Sequence, residues 1–365
     1  MFRKLRLPRK VKRFIGVMAF VMIGWLGWSI GGALTAPGTD SVSARLAGWG
    51  RDHYFGGLVT AGEKLQYWLH PPKIGGTPSL GLIHGVDLFV SGAHPPIIPF
   101  ALPALPGEGV FHTLVKNRGK SAIAVTYLRP DSTHSSYLAS VVWMNGSLVK
   151  LVQHPGYKDP GHLSLWSQPD TISIAERAGL LATFNSGFKM KDAHGAFYAN
   201  GNMVGKLNPG AASLIIYKDG HTDVGMWGNQ VILTPDVLSV RQNLTLLINH
   251  GAITVNSSTR LWPWASTMSN NSYIWRSGIG VTASGDLVYV IGDALSLHSL
   301  ASILLRAGAV RAMELDINSG WVSYMWYGPG PTATTPVPHK LLPFHVPLSG
   351  YFTQTSRDFF AVYSR

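Results

Sequence analysis

The hydrophobic and polar positions change texture three times along the chain. Arg3 to Arg13 is a basic cluster with no acid, and Phe14 to Leu34 follows as 21 residues without a charge. About 20 apolar residues in a helix match the ~30 Å hydrocarbon core of a bilayer. Residues 1–13 therefore read as a basic cytoplasmic leader and 14–34 as a transmembrane anchor. The positive-inside rule puts everything after Leu34 on the far side. A cleaved signal peptide is the competing reading. Against it, the apolar run exceeds the roughly 7–15 residues of a signal core, and the best small-residue site, near Ala36, is followed at once by Pro37. The expectation is a single-pass protein of the cell membrane, N-terminus cytoplasmic and C-terminal domain extracytoplasmic.

Residues 35–109 form a second region. Leu46, Trp49, Leu58, Leu65 and Trp68 are spaced for helix among small and polar residues. Residues 71–109 then hold eight Pro and seven Gly. Proline blocks helix interiors and central strands, so this stretch reads as a linker. Its apolar residues, Ile97, Ile98, Phe100, Leu102 and Leu105, point to an extended strap lying partly on the domain that follows.

From Val110 the period becomes that of strands, and 110–365 reads as one domain. Apolar runs predict strands at 110–116, 122–128, 138–144, 147–152, 180–184, 213–217 and 244–248. Asn145-Gly146 predicts a hairpin turn, and Lys218 to His221 another turn. Asp170 to Arg177 predicts a short helix. Gly278–Ala283 and Leu287–Ile291 predict a strand pair, and His298 or Ser299 caps a helix ending at Gly308. Val310–Leu315 is the next strand. Strand, helix and strand suggest a crossover with parallel strands, which places Asp293 and Asp316 at their carboxyl ends, where open sheets put ligands. The fold class is α+β: a mixed β-sheet domain with few helices, preceded by one transmembrane helix.

Composition narrows the function. The formal charge is +12, but seven of the 30 basic residues sit in the first 13 positions, leaving 23 against 18 acids. No basic stripe remains for nucleic acid. The chain has no Cys, which excludes disulfides, thiolate metal sites and a cysteine nucleophile. No GxSxG, P-loop or HExxH motif occurs. Trp143, Trp166, Trp227, Trp262 and Trp264 read as core.

Polar signals cluster at strand ends. Glu314 and Asp316 are two apart and share a face on a strand. Such a pair can bind a hard cation, Ca or Mg, through oxygen, or divide into acid and base when neighbours separate their pKa values. A salt bridge to Arg276 or Arg311 is the alternative. Asn185-Ser186-Gly187 follows a strand and lets a ligand approach the backbone. Asn249-His250-Gly251 ends another, Arg276 opens a third, and Asn318 follows Asp316. Asp293 is a further possible metal ligand.

In order and in motif, residues from about 180 to 327 resemble the phosphodiester glycosidase family. Asn185-Ser186-Gly187-Phe188 is similar to its early Asn-Gly-Gly-Phe step, and Asn249-His250-Gly251 to its central Asn-Gly-Gly. Arg276 to Gly280 is similar to its Arg-Thr-Ala-Ile-Gly strand, and Leu315-Asp316 to its Leu-Asp strand end. The resemblance implies hydrolysis of a sugar–phosphate diester at the anomeric carbon, with an envelope glycan carrying phosphodiester links as substrate. Together with the strand-end signals it points to Asp316, Glu314 and Arg276 as catalytic, Glu314 standing where the family usually has Asn, and to Asn185, Gly187, Asn249, His250 and Asn318 as substrate-binding. Where the family carries Gly-Gly-Gly-Ser, this chain has Ile317-Asn318-Ser319-Gly320. That departure keeps a rival open: a non-catalytic glycan-binding or envelope-assembly module on the same fold.

Overall fold

A computed structural model describes residues 8–78, 94–255 and 272–365. Trp262, Trp264, residues 1–7 of the leader and 79–93 of the linker lie outside the described residues.

Three helices come first: α1 (Arg9–Leu34), α2 (Val42–Asp52) and α3 (Gly56–Leu69). Among the described residues, α1 is the one helix long and apolar enough to cross a membrane, and none of its residues is buried. Its length is about 39 Å at 1.5 Å per residue. Ser41 caps α2 by accepting the Ala44 N–H at 3.2 Å. Arg45 then reaches back to the carbonyls of Leu34 at 3.2 Å, Ala36, and Gly38 at 2.8 Å. These are carbonyls at and just beyond the end of α1, where the helix leaves acceptors unsatisfied.

The strands follow in chain order. They are β1 (His112–Asn117), β2 (Lys120–Leu128), β3 (Ala139–Met144), β4 (Val149–His154) and β5 (Leu180–Asn185). A one-turn helix, α4 (Met190–Ala193), precedes β6 (Ala196–Ala199), β7 (Asn202–Gly205), β8 (Ala212–Tyr217), β9 (Thr222–Met226) and β10 (Val237–Gln242). Then come β11 (Leu246–Asn249), β12 (Ala252–Ile253), β13 (Ile274–Thr282), β14 (Leu287–Leu295), the helix α5 (Leu297–Arg306) and β15 (Ala309–Glu314). The last are β16 (Tyr324–Gly328), β17 (Val337–Lys340) and β18 (Phe359–Ser364).

They make three sheets, ordered β1-β2-β3-β14-β13-β15-β11-β12, β7-β6-β10-β8-β9 and β17-β16-β5-β18-β4. The protein is mostly β, and each ladder between these strands is antiparallel. β14 and β15 both pair with β13, so they run parallel to one another with β13 between them. The crossover through α5 therefore exists, but it skips one strand.

Both faces of the eight-stranded sheet are buried. On β14, Leu287, Tyr289 and Ile291 enter one core, while Val288 and Val290 enter the other. That is the two-residue period of a pleated strand. The first core joins this sheet to the β5–β18 sheet through Phe184, Tyr324 and Phe360. The second is closed by Leu297, Leu300, Ile303 and Leu304 of α5 and by Ile97 of the strap. Glycine lets α5 sit close: a Cβ on Gly278 would stand 3.1 Å from Leu304 Cδ1 and 3.2 Å from Leu300 Cδ1. The strap is fixed further by Glu108, whose carboxylate meets buried Arg129 at 2.8 Å.

Several local expectations change. Asn145-Gly146 does not close a hairpin, because β3 pairs with β2 and β14 whereas β4 pairs with β18. The turn instead carries the chain from one sheet to another, and the Gly146 N–H is held by Asp286 at 2.9 Å. The helix expected at 170–177 shrinks to a 3-10 turn, Ile174–Arg177, capped by Ser173 and Glu176. Ser296, earlier than expected, caps α5 by accepting the Ser299 N–H at 3.0 Å. β14 runs on to Leu295, so Asp293 lies within the strand and not past its end. Lys218 to His221 turns between the paired strands β8 and β9 as expected, and Trp143, Trp166 and Trp227 are buried.

Candidate functional site

A cavity of about 430 Å³ opens where β13, β14 and β15 end near α3. Arg276, Asp293, Glu314, Asp316 and Asn318 line it, and so do Lys189, Trp321 and Arg357. The volume is that of a small-molecule site.

Arg276 sits on β13 and is buried. Its Nε donates to the Leu295 carbonyl at 2.8 Å, and a terminal nitrogen donates to Glu314 Oε1 at 2.5 Å. The alternative salt-bridge reading of Glu314 is thus realised with Arg276. Arg311 pairs instead with Asp223 at 2.5 Å. Glu314 is held at the end of β15, paired across to Gly278. Its second oxygen, Oε2, is buried with no hydrogen-bond partner. Burial pushes its pKa up, against the pull of Arg276.

Asp316 follows β15 directly. Its Oδ1 accepts the N–H groups of Ile317 at 2.7 Å and Asn318 at 2.9 Å, and Oδ2 faces Arg357 at 3.1 Å. Burial raises this carboxyl too, with Arg357 opposing. Arg357 also donates to the Gly187 carbonyl at 2.7 Å, faces Asp159 at 3.4 Å and lies 5.3 Å from the Trp321 ring. One guanidinium therefore ties the Asn185–Gly187 loop to the end of β15. Arg357 was not legible as a site residue, although Arg357-Asp358 directly before the apolar run of β18 was a usable signal.

Asn185 is a different kind of residue. Its amide donates to the Ser186 carbonyl at 2.8 Å and to Ser277 Oγ at 2.9 Å. Its oxygen accepts from Tyr289 Oη at 2.7 Å and the Ser323 N–H at 3.0 Å. An Asn side chain has four such capacities, and all four are used inside the protein. Asn185 and Gly187 line a smaller pocket next to Asp316 and Arg357. A Cβ on Gly187 would come within 3.1 Å of the Asn243 amide, so glycine is required for that close packing. Asn243 in turn donates to the carbonyls of Glu314 at 2.6 Å and Leu315 at 2.8 Å.

Asn249 and His250 stand apart from these groups. They form the β11–β12 turn, where His250 has φ +49° and Asn249 Oδ1 accepts from Gln230 at 2.6 Å. Neither lines the cavity. Asp293 does line it, and burial pushes its carboxyl up to about 6. Burial and the neighbouring Arg357 lower the Lys189 ammonium. Glu314 and Asp316 already face arginines, and among the described residues no group of three or more His, Asp and Glu could hold a metal ion.

Residues 176–320 match the family model of the phosphodiester glycosidases. No curated protein matches the chain. Two solved structures are similar at low identity. The catalytic domain of zebrafish N-acetylglucosamine-1-phosphodiester alpha-N-acetylglucosaminidase, auto-inhibited by its pro-peptide, is 15% identical, with a TM-score of 0.45 over 80% of this chain and 97% of that one. A hypothetical protein from Synechocystis is 13% identical, with a TM-score of 0.39 over 68% of this chain; the alignment spans only 63% of that protein. The segment carrying Asn185, Arg276, Glu314 and Asp316 is thus the part of the chain that matches the phosphodiester glycosidase family model.

Proposed function

We propose that the protein is a membrane-anchored, extracytoplasmic hydrolase that cleaves a sugar-1-phosphodiester of an envelope glycan in the 430 Å³ cavity. One observation carries the reading: within a segment that matches the family, neighbouring strands bring Arg276, Asp293, Glu314 and Asp316 to a single cavity, which Arg357 joins from the C-terminal part of the chain. α1 supports the membrane placement by length and composition.

The chemistry needs a site for the departing phosphate, an activated water and a grip on sugar hydroxyls. Arg357 and Lys189 are the cations for the phosphate. A guanidinium offers a phosphate two parallel donors. Glu314 Oε2, the buried oxygen without a partner, accepts from the attacking water or from a sugar hydroxyl. Arg276 fixes its position. Asp293, with its carboxyl near 6, exchanges a proton at the working pH. Asp316 orients Arg357. No step is routed through a divalent cation, because the paired carboxylates are already committed to arginines.

The binding-module reading is favoured by two features. Both oxygens of Asp316 are engaged, and Ile317-Asn318-Ser319-Gly320 stands where the family has glycines. Sugar release from synthetic sugar-1-phosphodiesters by the full chain in nanodiscs separates the two. Turnover that Glu314→Gln and Asp316→Asn abolish, assayed well below the melting temperature of each variant, supports the hydrolase. Glycan binding without turnover by the parent overturns it.

A further inference from the structure

One wall of the cavity is not made by the sheets. Arg51 of α2, Glu63, Gln66 and Tyr67 of α3, and His70 just beyond line that side. Tyr67 Oη accepts the Tyr273 N–H at 3.2 Å. Positions 63, 66, 67 and 70 form one stripe of a helix. Leu58, Leu65, Trp68 and Leu69 form another, and they are 71, 55, 74 and 55% exposed. A continuous bare apolar stripe is unusual on a surface that meets only water.

The neighbour of this stripe explains it. α2 doubles back along α1: Trp49 Nε1 donates to Ser29 Oγ at 2.9 Å, and the His53 ring stands edge-on to Trp25 at 5.7 Å. Ser29 and Trp25 lie roughly 8 and 14 Å inside the outer end of α1 at 1.5 Å per residue. The turn from α2 to α3, with Tyr54 and Phe55 exposed, is therefore level with the outer part of the membrane span. Most charges of the two helices face protein. Arg51 pairs with Glu63 at 2.6 Å, Asp52 with Lys191 at 2.5 Å, and Arg45 with the carbonyls beyond α1. An apolar stripe with aromatic residues beside an anchor has the character of an interfacial helix.

We propose that α3 lies in the outer interface of the bilayer and that the cavity takes a lipid-linked substrate, a sugar whose anomeric phosphodiester joins it to a membrane lipid. The inference rests on the hydrolase reading above. The headgroup enters past Glu63, Gln66 and His70 while the lipid tail stays in the bilayer against Leu65 and Trp68. Water attacks the anomeric carbon and the bond from that carbon to the phosphate oxygen breaks. The sugar keeps the hydroxyl of water, the oxygen keeps the electron pair, and the proton passes to solvent. The products are free sugar and a lipid phosphate monoester.

The test uses the full chain in nanodiscs and two diesters of the same sugar 1-phosphate, one to a long polyprenyl alcohol in the bilayer and one to methanol. The lipid-linked diester is expected to show kcat/KM at least about tenfold higher, and Leu65→Glu and Trp68→Glu to lower it about tenfold while leaving the methyl diester unchanged. Equal rates on both diesters, untouched by Leu65→Glu, overturn the lipid-linked substrate and leave the hydrolase standing. No cleavage of either across a panel of sugars overturns both. The absence of Cys allows a second readout. A bimane label at Leu65→Cys should be quenched by brominated lipid and shielded from iodide; free quenching by iodide overturns the interfacial placement.

Discussion

Replacing Arg357 by Gln removes the one side chain that faces Asp316 and Asp159 together and also holds the Gly187 carbonyl. Arg357 is 9% exposed and Asp316 3%, so water cannot replace the lost charge. Breaking a buried pair from one side costs about 3–5 kcal/mol. For a domain of this size each kcal/mol lowers Tm by about 2–4 °C, so a fall of about 6–20 °C is expected. The pH dependence sharpens the test. Burial already raises the carboxyls of Asp316 and Asp159, and Arg357 lowers both, so its loss raises them further. A carboxyl raised in the folded state binds its proton more tightly folded than unfolded. It therefore favours folding at low pH and loses that contribution as pH rises through the folded value. The gap between parent and Arg357→Gln should be widest near neutrality and narrow towards pH 4. Calorimetric scans from pH 4 to 8 measure it. Adding Asp316→Asn to Arg357→Gln should cost less than the sum of the two single changes, since the charge left behind is gone. A Tm within 2 °C of the parent at neutral pH, or a gap that widens on acidification, refutes the assignment of Arg357 as the counter-charge.

Asp293→Asn should remove an ionisation near pH 6 from the kcat profile. It should also raise Tm more at pH 8 than at pH 4, because a carboxyl raised in the folded state loses its stabilising contribution progressively from the unfolded pKa up to the folded value of about 6; an unchanged profile on both counts removes Asp293 from the site. Gly280→Ala should lower stability by about 1–3 kcal/mol, since its Cβ would stand 2.7 Å from that of Ala309 and 2.9 Å from the Arg311 carbonyl; an unshifted denaturant midpoint would contradict this packing. A chain beginning at Val110 should fold less stably than one beginning at His94, because it lacks buried Ile97 and leaves Arg129 without Glu108; equal melting of the two would place the strap outside the core.

The strands that the sequence made legible are those whose apolar runs are long and bounded by turn residues, such as β5, β8, β14 and β15. Helix α5 was legible for the same reason, since Leu300, Ile303 and Leu304 all fall on its buried side. Pairing was not legible. Asn145-Gly146 carries a hairpin signature, yet the partner of β4 is β18, more than 200 residues away. Turn chemistry is local, and burial on distant sheets decides which edges meet. The site divides the same way. Arg276, Asp293, Glu314, Asp316 and Asn318 lie within a span of 43 residues that folds on itself, and all line the cavity. Arg357 reaches it because β18 inserts between β4 and β5, and Lys189 reaches it from the loop after β5. Asn249 and His250 share the strand-end signature, but β11 lies beyond β15 from β13, and its turn is held by Gln230.

The cavity lies where three sheets meet, and the meeting is made by charge. Arg241 on β10 holds Asp358 before β18 at 2.6 Å, Arg357 before β18 holds Asp316 after β15, and Arg276 on β13 holds Glu314 at the end of β15. Two of these pairs join different sheets. Buried ion pairs bring little net stability, since desolvation consumes most of the attraction. Leucines could have filled the same volume. They would not fix which residue of β15 faces which residue of β18, because apolar contacts tolerate sliding and a charge pair does not. Asn185 adds the same constraint with neutral groups, spending three of its four hydrogen bonds to lock β5 to β13, β14 and the segment before β16. Among the described residues, the carboxylate oxygen left over in the buried pairs of the cavity is Glu314 Oε2. A buried carboxylate oxygen left open beside the cavity is the acceptor that the proposed reaction needs for its water or its sugar hydroxyl.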